Sequence, residues 1–233
     1  MISENNYEQI KKNTVAATNQ LKDSEDVTFE NVDGKGVRVM FVGNSITLHG
    51  IKHEIGWHNR CGMAASSKEK DYVHQLIAKI DEVKEDAAYC ICQVASWESK
   101  YQEGIEKLSH IYESAREFEA DIIVLRLIEN CPMGGFDGTV FKKELEKLIA
   151  FLDASGKAKF VITTSFWRHC GDEAIREFAG EHQMPLVELG DLGALDEMKA
   201  IGKFEHEGVA NHPGDLGMEK IAERIFDKMK IYL

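Results

Sequence analysis

A serine placed just after an apolar run and a histidine in a late loop are the residues of this chain best suited to chemistry. Residues 37–42 lead straight into Gly43, Asn44, Ser45, Ile46 and Thr47. A glycine permits a tight turn there, and a serine just after it can present its hydroxyl near a following helix start. That hydroxyl is a weak nucleophile at neutral pH and needs a base. Among nine histidines, His212 stands out because Asn211-His212-Pro213-Gly214-Asp215 is a loop just before the last amphipathic stretch. A loop imidazole can point over the domain, although capping or packing beside Asp215 is the blander role. Acyl chemistry also needs N–H donors for an oxyanion. Asn130 supplies a side-chain amide after residues 121–127, and an Asx turn before Cys131 and Pro132 is its commoner use. Gly62, between Cys61 and Met63, supplies a backbone N–H.

These residues need a scaffold, and the hydrophobic pattern provides one. Four short apolar runs, 37–42, 87–94, 121–127 and 159–164, are rich in β-branched residues and suit strands buried on both faces; a fifth, 185–189, is weaker. Segments 68–83, 104–118, 139–153, 172–182 and 215–229 carry helical spacing, as in Tyr72, Leu76 and Ile80. Alternating strands and helices predict a parallel sheet covered by helices on both faces, because parallel strands need long right-handed crossovers. In such a sheet, function gathers beyond the carboxyl ends of the strands. Residues 1–36 stand outside the alternation and read as an N-terminal accessory segment, with a helix over 7–21 and a short strand over 27–32. Residues 37–233 read as one catalytic domain.

Other side chains invite chemical readings and mostly have plainer ones. His49, His53 and His58 flank Glu54, but the order is not H-E-x-x-H and Gly50 and Gly56 interrupt a helix, so no metal site is expected and the three histidines line the site mouth instead. The five cysteines form no C-x-x-C pair, which predicts buried thiols in a reducing compartment, with Cys90 and Cys92 on one face of a strand. Trp167 and Arg168 follow the fourth run and are expected at the active edge as substrate-binding residues. Trp57, Trp97 and Trp167 can stack on a sugar, although tryptophan more commonly fills a core. Arg168 can hold an anionic group or a sugar hydroxyl, or equally form a surface salt bridge.

Composition narrows the partners. The 233 residues hold 28 Lys and Arg against 40 Asp and Glu, a net charge of −12 that opposes nucleic acid and anionic membranes and favours neutral substrates. No apolar run reaches the roughly 20 residues of a membrane span, and the start has no basic and apolar leader pattern, so a cytoplasmic location is expected. Neither G-x-x-x-x-G-K-[ST] nor G-x-G-x-x-G occurs, which opposes a nucleotide cofactor, and G-x-S-x-G is missing too.

Taken jointly, Gly43-Asn44-Ser45-Ile46-Thr47 after the first run, Gly62 in the next loop, Asn130 after the third run and His212-Pro213 followed by Gly217 resemble the SGNH hydrolases, also called GDSL esterases. The resemblance implies a flavodoxin-like three-layer α/β/α sandwich with a central parallel five-stranded sheet and no cofactor. It further implies Ser45 as nucleophile, His212 as base, and the Ser45 N–H, Gly62 N–H and Asn130 side chain as oxyanion donors. The expected activity is hydrolysis of small-acyl, preferentially acetyl, esters through a Ser45 acyl-enzyme, with an acetylated sugar as the favoured substrate. A non-catalytic carbohydrate- or ligand-binding module on the same scaffold is the alternative. Two departures stand out. Asn44 replaces the aspartate of the family pattern, and Val209 occupies the usual position of the triad acid three residues before the histidine. Glu207 is the first candidate to orient His212; a backbone carbonyl, Glu205 and Asp215 are the others, with Asp215 also suited to cap the last helix.

Overall fold

Gly43 shows why the first apolar run ends where it does. A Cβ on this residue would lie 2.6 Å from the Arg126 carbonyl oxygen and closer still to the Thr47 hydroxyl, so only glycine lets the strand turn here against its neighbour. The computed structural model describes Leu21 and residues 23–233. The strands are β1 (Val27–Glu30), β2 (Arg38–Gly43), β3 (Ala88–Gln93), β4 (Ile122–Arg126), β5 (Lys159–Thr163) and β6 (Leu186–Val187). The helices are α1 (Tyr72–Asp81), α2 (Ala95–Ser99), α3 (Ser109–Glu117), α4 (Gly138–Leu152), α5 (Asp172–Glu181), α6 (Glu207–Ala210) and α7 (Asp215–Met229).

The sheet has the order β1-β3-β2-β4-β5-β6. Strands β2 to β6 are parallel, as expected for five, and β1 adds an antiparallel sixth by pairing Val27 with Cys92 and Glu30 with Tyr89. The extra strand covers an edge of β3 that would otherwise present unpaired backbone groups. Val27 is fully buried, and Phe29 packs on Phe118 at 5.8 Å between ring centroids. Residues 7–20 of the helix expected near the start lie outside the described residues.

Alternate strand residues feed two cores. Val39, Phe41, Tyr89, Ile91, Ile122 and Val124 pack with α1 and α7, whereas Met40, Val42, Cys90, Cys92, Ile123 and Leu125 pack with α3, α4 and α5. Each large apolar side chain buried this way contributes roughly 1.5–3 kcal/mol. The chain leaves β2 toward β3 over one face and later runs from β4 to β6 over the other, as right-handed crossovers in opposite directions require. The reversal falls between β2 and β4, and there the strand ends open a crevice.

Several helix ends differ from the periodic pattern for local reasons. The stretch starting at 68 is first a 3-10 turn, Lys68–Lys70, and α1 begins only after Asp71, whose carboxylate accepts the His74 N–H at 2.7 Å. Residues 101–107 form two 3-10 turns before α3. Asp215 is the first residue of α7 rather than its cap; its carboxylate instead accepts from the Ser66 N–H at 2.8 Å and hydroxyl at 2.6 Å, tying the 61–67 loop to α7. Four cysteines are buried, but Cys170 is exposed, in contrast to the expectation of buried thiols throughout. Among the described residues no helix is long and apolar enough to cross a membrane.

Candidate active site at the strand-order reversal

Ser45 follows β2 at the reversal point, on a turn closed by the Asn44 carbonyl, which accepts the N–H groups of Thr47 at 2.8 Å and Leu48 at 3.0 Å. His212 comes from the loop before α7. Its peptide N–H donates to the Val209 carbonyl at 2.9 Å, and its own carbonyl accepts from the Ala200 N–H at 2.9 Å. So braced, the imidazole Nε2 lies 2.8 Å from the Ser45 Oγ, across 167 residues of sequence. Trp167 packs edge-on against the imidazole at 4.9 Å and anchors its indole N–H on the Asn211 carbonyl at 3.1 Å.

Hydrogen-bond logic sets the tautomer. Nδ1 of His212 lies 2.6 Å from the Gly208 carbonyl oxygen, which can only accept, so Nδ1 carries the proton. In the neutral ring Nε2 is then bare and accepts from the serine hydroxyl. Burial lowers the His212 pKa to about 4, outweighing the Gly208 bond that favours the charged form, and the nearby His49 and Arg126 charges push the same way as burial. The imidazole is therefore neutral and able to take a proton across the physiological range.

Among the described residues none of the acid candidates hydrogen-bonds that imidazole, whose two nitrogens meet Ser45 and Gly208. Glu205 and Glu207 are exposed, and Glu207 opens α6, the short helix that aims the Gly208 carbonyl. Val209, at the position where the family pattern has its acid, is fully buried with Trp57, Cys61, Met63 and Ala200. A carboxylate could not replace it without losing that packing.

The expected oxyanion donors divide. Ser45 N–H makes no hydrogen bond among the described residues. Asn130 Nδ2 donates one N–H to Glu98 Oε2 at 2.6 Å and keeps a second. Gly62 N–H is instead committed to Asp71 Oδ2 at 2.9 Å, in a buried contact that closes the loop onto the start of α1. Asp71 also holds His74 Nδ1 at 2.7 Å, and His74 Nε2 meets Glu30 at 2.9 Å.

Beneath Ser45 lies a buried polar network with no counterpart among the candidates raised from sequence. Asn44 is fully buried and donates to Glu129 at 2.7 Å and to both Glu98 oxygens at 3.1 and 3.2 Å, while its own oxygen accepts from Arg126. Arg126 pairs with Glu129 at 2.6 Å, and Glu129 also accepts the Phe166 N–H at 2.9 Å. Burial and then the Glu129 charge push the Glu98 carboxyl above its ordinary range. Glu129 suffers the same burial, but the Arg126 guanidinium holds it below its ordinary value. The network explains Asn44: only an amide can donate to two carboxylates and still accept from arginine. One signal was readable beforehand, since Arg126 interrupts an otherwise apolar strand run.

Of the two expected substrate contacts, only Trp167 meets the pair; the cavity that Arg168 lines includes neither Ser45 nor His212. Trp167 is half-buried and touches His212, while Arg168 is exposed and lines a cavity of about 660 Å³ with Arg176, Glu188, Asp191 and Arg224. In that cavity Arg176 is paired with Glu188 and Arg224 with Asp191. His53 and His58 pair with each other at 2.7 Å in an exposed loop, and half-buried His49 bonds the Gly50 carbonyl at 2.6 Å.

No protein-family model matches the chain, and no curated protein matches it in sequence. Solved structures do. A member of the lipolytic G-D-S-L family from Veillonella parvula is 16% identical, with a TM-score of 0.52 over 83% of this chain and 98% of that one. A two-domain esterase active on acetylated mannans, crystallised with mannopentaose, is 14% identical, with a TM-score of 0.54 over 84% of this chain and 50% of that one. This chain thus spans half the length of the two-domain esterase. The likeness establishes a shared three-layer α/β/α fold with a mostly parallel six-stranded sheet.

Proposed function

We propose that this chain is a serine ester hydrolase of the SGNH type, its catalytic unit within residues 37–233. The observation that carries the proposal is the Ser45–His212–Gly208 relay at the reversal of strand order. Ser45 Oγ attacks the ester carbonyl as its proton passes to His212 Nε2. The oxyanion rests on the Ser45 N–H and the second Asn130 N–H. His212 then returns the proton to the leaving alcohol, the carbon–oxygen bond breaks, and the acyl group stays on Ser45. Water enters, gives its proton to His212 and attacks the acyl-enzyme; His212 re-protonates Ser45 as the acid departs. The Gly208 carbonyl performs the orienting role of a triad acid, keeping the productive tautomer without adding a negative charge.

Acetyl esters on neutral carbohydrates are the substrates this reading favours. Trp167 offers an aromatic surface beside the base, the net charge of −12 disfavours anionic substrates, and a protein of the same fold acts on acetylated mannans. The test is labelling by a fluorophosphonate probe, followed by hydrolysis of p-nitrophenyl esters of increasing chain length and of acetylated manno-oligosaccharides. Labelling that disappears in Ser45→Ala, with the highest kcat/KM on acetyl esters, supports the proposal. An unlabelled wild-type protein would leave a ligand-binding module.

A further inference from the structure

The turn that carries Asn130 is backbone-strained, and the buried Glu98 carboxylate accepts two of its peptide N–H groups. Ile128, the second residue beyond β4, has φ of +108°, in the left-handed region that β-branched side chains avoid. Such a conformation persists only where surrounding contacts impose it. Here Ile128 is fully buried, and its N–H donates to Glu98 Oε1. Two residues on, the Asn130 N–H and Nδ2 both donate to Glu98 Oε2, at 3.2 and 2.6 Å. Glu98 is itself fully buried on α2, after β3, and its two oxygens also accept from Asn44, the residue before the nucleophile.

Glu98 thus gathers N–H groups from both turns that frame the site. Glu129 reaches Asn44 too, but among the described residues only Glu98 hydrogen-bonds Asn130. A carboxylate fits because all its partners are donors; an amide at the same place would turn N–H groups toward N–H groups.

We propose that Glu98 is a positioning residue for ester hydrolysis, holding the strained 128–130 turn so that the free Asn130 N–H is fixed relative to Ser45. The inference rests on the esterase reading and adds to it a residue that never touches substrate. It acts through Asn130, so its effect belongs in kcat and depends on Asn130 being present.

A double-mutant cycle on p-nitrophenyl acetate, with fluorophosphonate labelling in parallel, tests it. Loss of one oxyanion donor lowers kcat by about 100-fold or more, so Glu98→Gln, which misplaces that donor, should lower kcat by at least about tenfold with KM nearly unchanged. In the Asn130→Ala background the same substitution should lower kcat by less than about threefold. If Glu98→Gln does not fold, Glu98→Asp, which keeps the charge but draws it back by one methylene, goes through the same cycle. Equal losses in both backgrounds, or wild-type kcat in the single variant, would overturn the proposal while leaving a labelled, active wild type as an esterase. A wild type that is neither labelled nor active would overturn both.

Discussion

Replacing Asn44 by aspartate restores the residue of the family pattern, yet in this chain it should be damaging. The amide donates to Glu129 at 2.7 Å and to Glu98 at 3.1 Å, and an aspartate loses both bonds. Hydrogen bonds to charged partners contribute about 1.5–3 kcal/mol each, so the loss is about 3–6 kcal/mol. Linkage gives a similar figure. A carboxyl fully buried beside two others has its pKa raised in the folded state, so it destabilises the fold progressively as pH rises above its unfolded value of about 3.9, by about 1.4 kcal/mol per pH unit. Three units of rise bring the deficit to about 4 kcal/mol near pH 7. Urea unfolding of Asn44→Asp and wild type, followed by circular dichroism near pH 5 and near pH 7.5, measures it. The expected result is a lower midpoint at both values, with the gap widening toward the higher pH. A deficit below about 1 kcal/mol, or one independent of pH, would refute the view that Asn44 is a donor bridging two buried carboxylates.

Three further outcomes follow from the same geometry. With His212 neutral down to about pH 4, kcat/KM on a neutral acetyl ester should hold nearly level from neutrality to about pH 5 and fall by half near pH 4; a midpoint near 6.5 would mean an unperturbed imidazole. Because Nδ1 of His212 donates to the Gly208 carbonyl, Glu207→Gln should retain kcat within about twofold, and a tenfold loss would make Glu207 the orienting acid. Although burial disfavours its charge, His74 is held at about 9 by Asp71 and Glu30, so its contribution of about 3 kcal/mol is complete below about pH 6.5 and disappears as pH rises through 9. The urea midpoint of His74→Gln should therefore lie furthest below wild type near pH 6 and approach it near pH 9.5, whereas an equal gap at both would discount the charged pairing.

Strand and helix order was legible in the sequence because it is written in local periodicity. The runs at 37–42, 87–94, 121–127 and 159–164 each became a buried parallel strand, and even the weak 185–189 run holds the two residues of β6. Where the strand order reverses, and hence which strand ends share a crevice, is not written in that periodicity; the sheet order shows it. Residue chemistry made Ser45 and His212 candidates, and the joint order of the four blocks, through its resemblance to the SGNH hydrolases, made them the expected pair.

Partner choice belonged to the tertiary structure. The Gly62 N–H was available to an oxyanion on paper, but folding delivers the Asp71 carboxylate to it, nine residues further on. The orienting group of His212 is a main-chain carbonyl, and every residue carries the same one, so composition cannot mark Gly208. Glu98 and Glu129 look like ordinary surface charges in a chain with so many; their burial follows from contacts up to 85 residues apart, between Asn44 and Glu129. Sequence determines what each residue can donate, accept or bury. Which donor meets which acceptor is decided only when the sheet closes, because a hydrogen bond depends on ångström-scale position and the pattern along the chain specifies only a face.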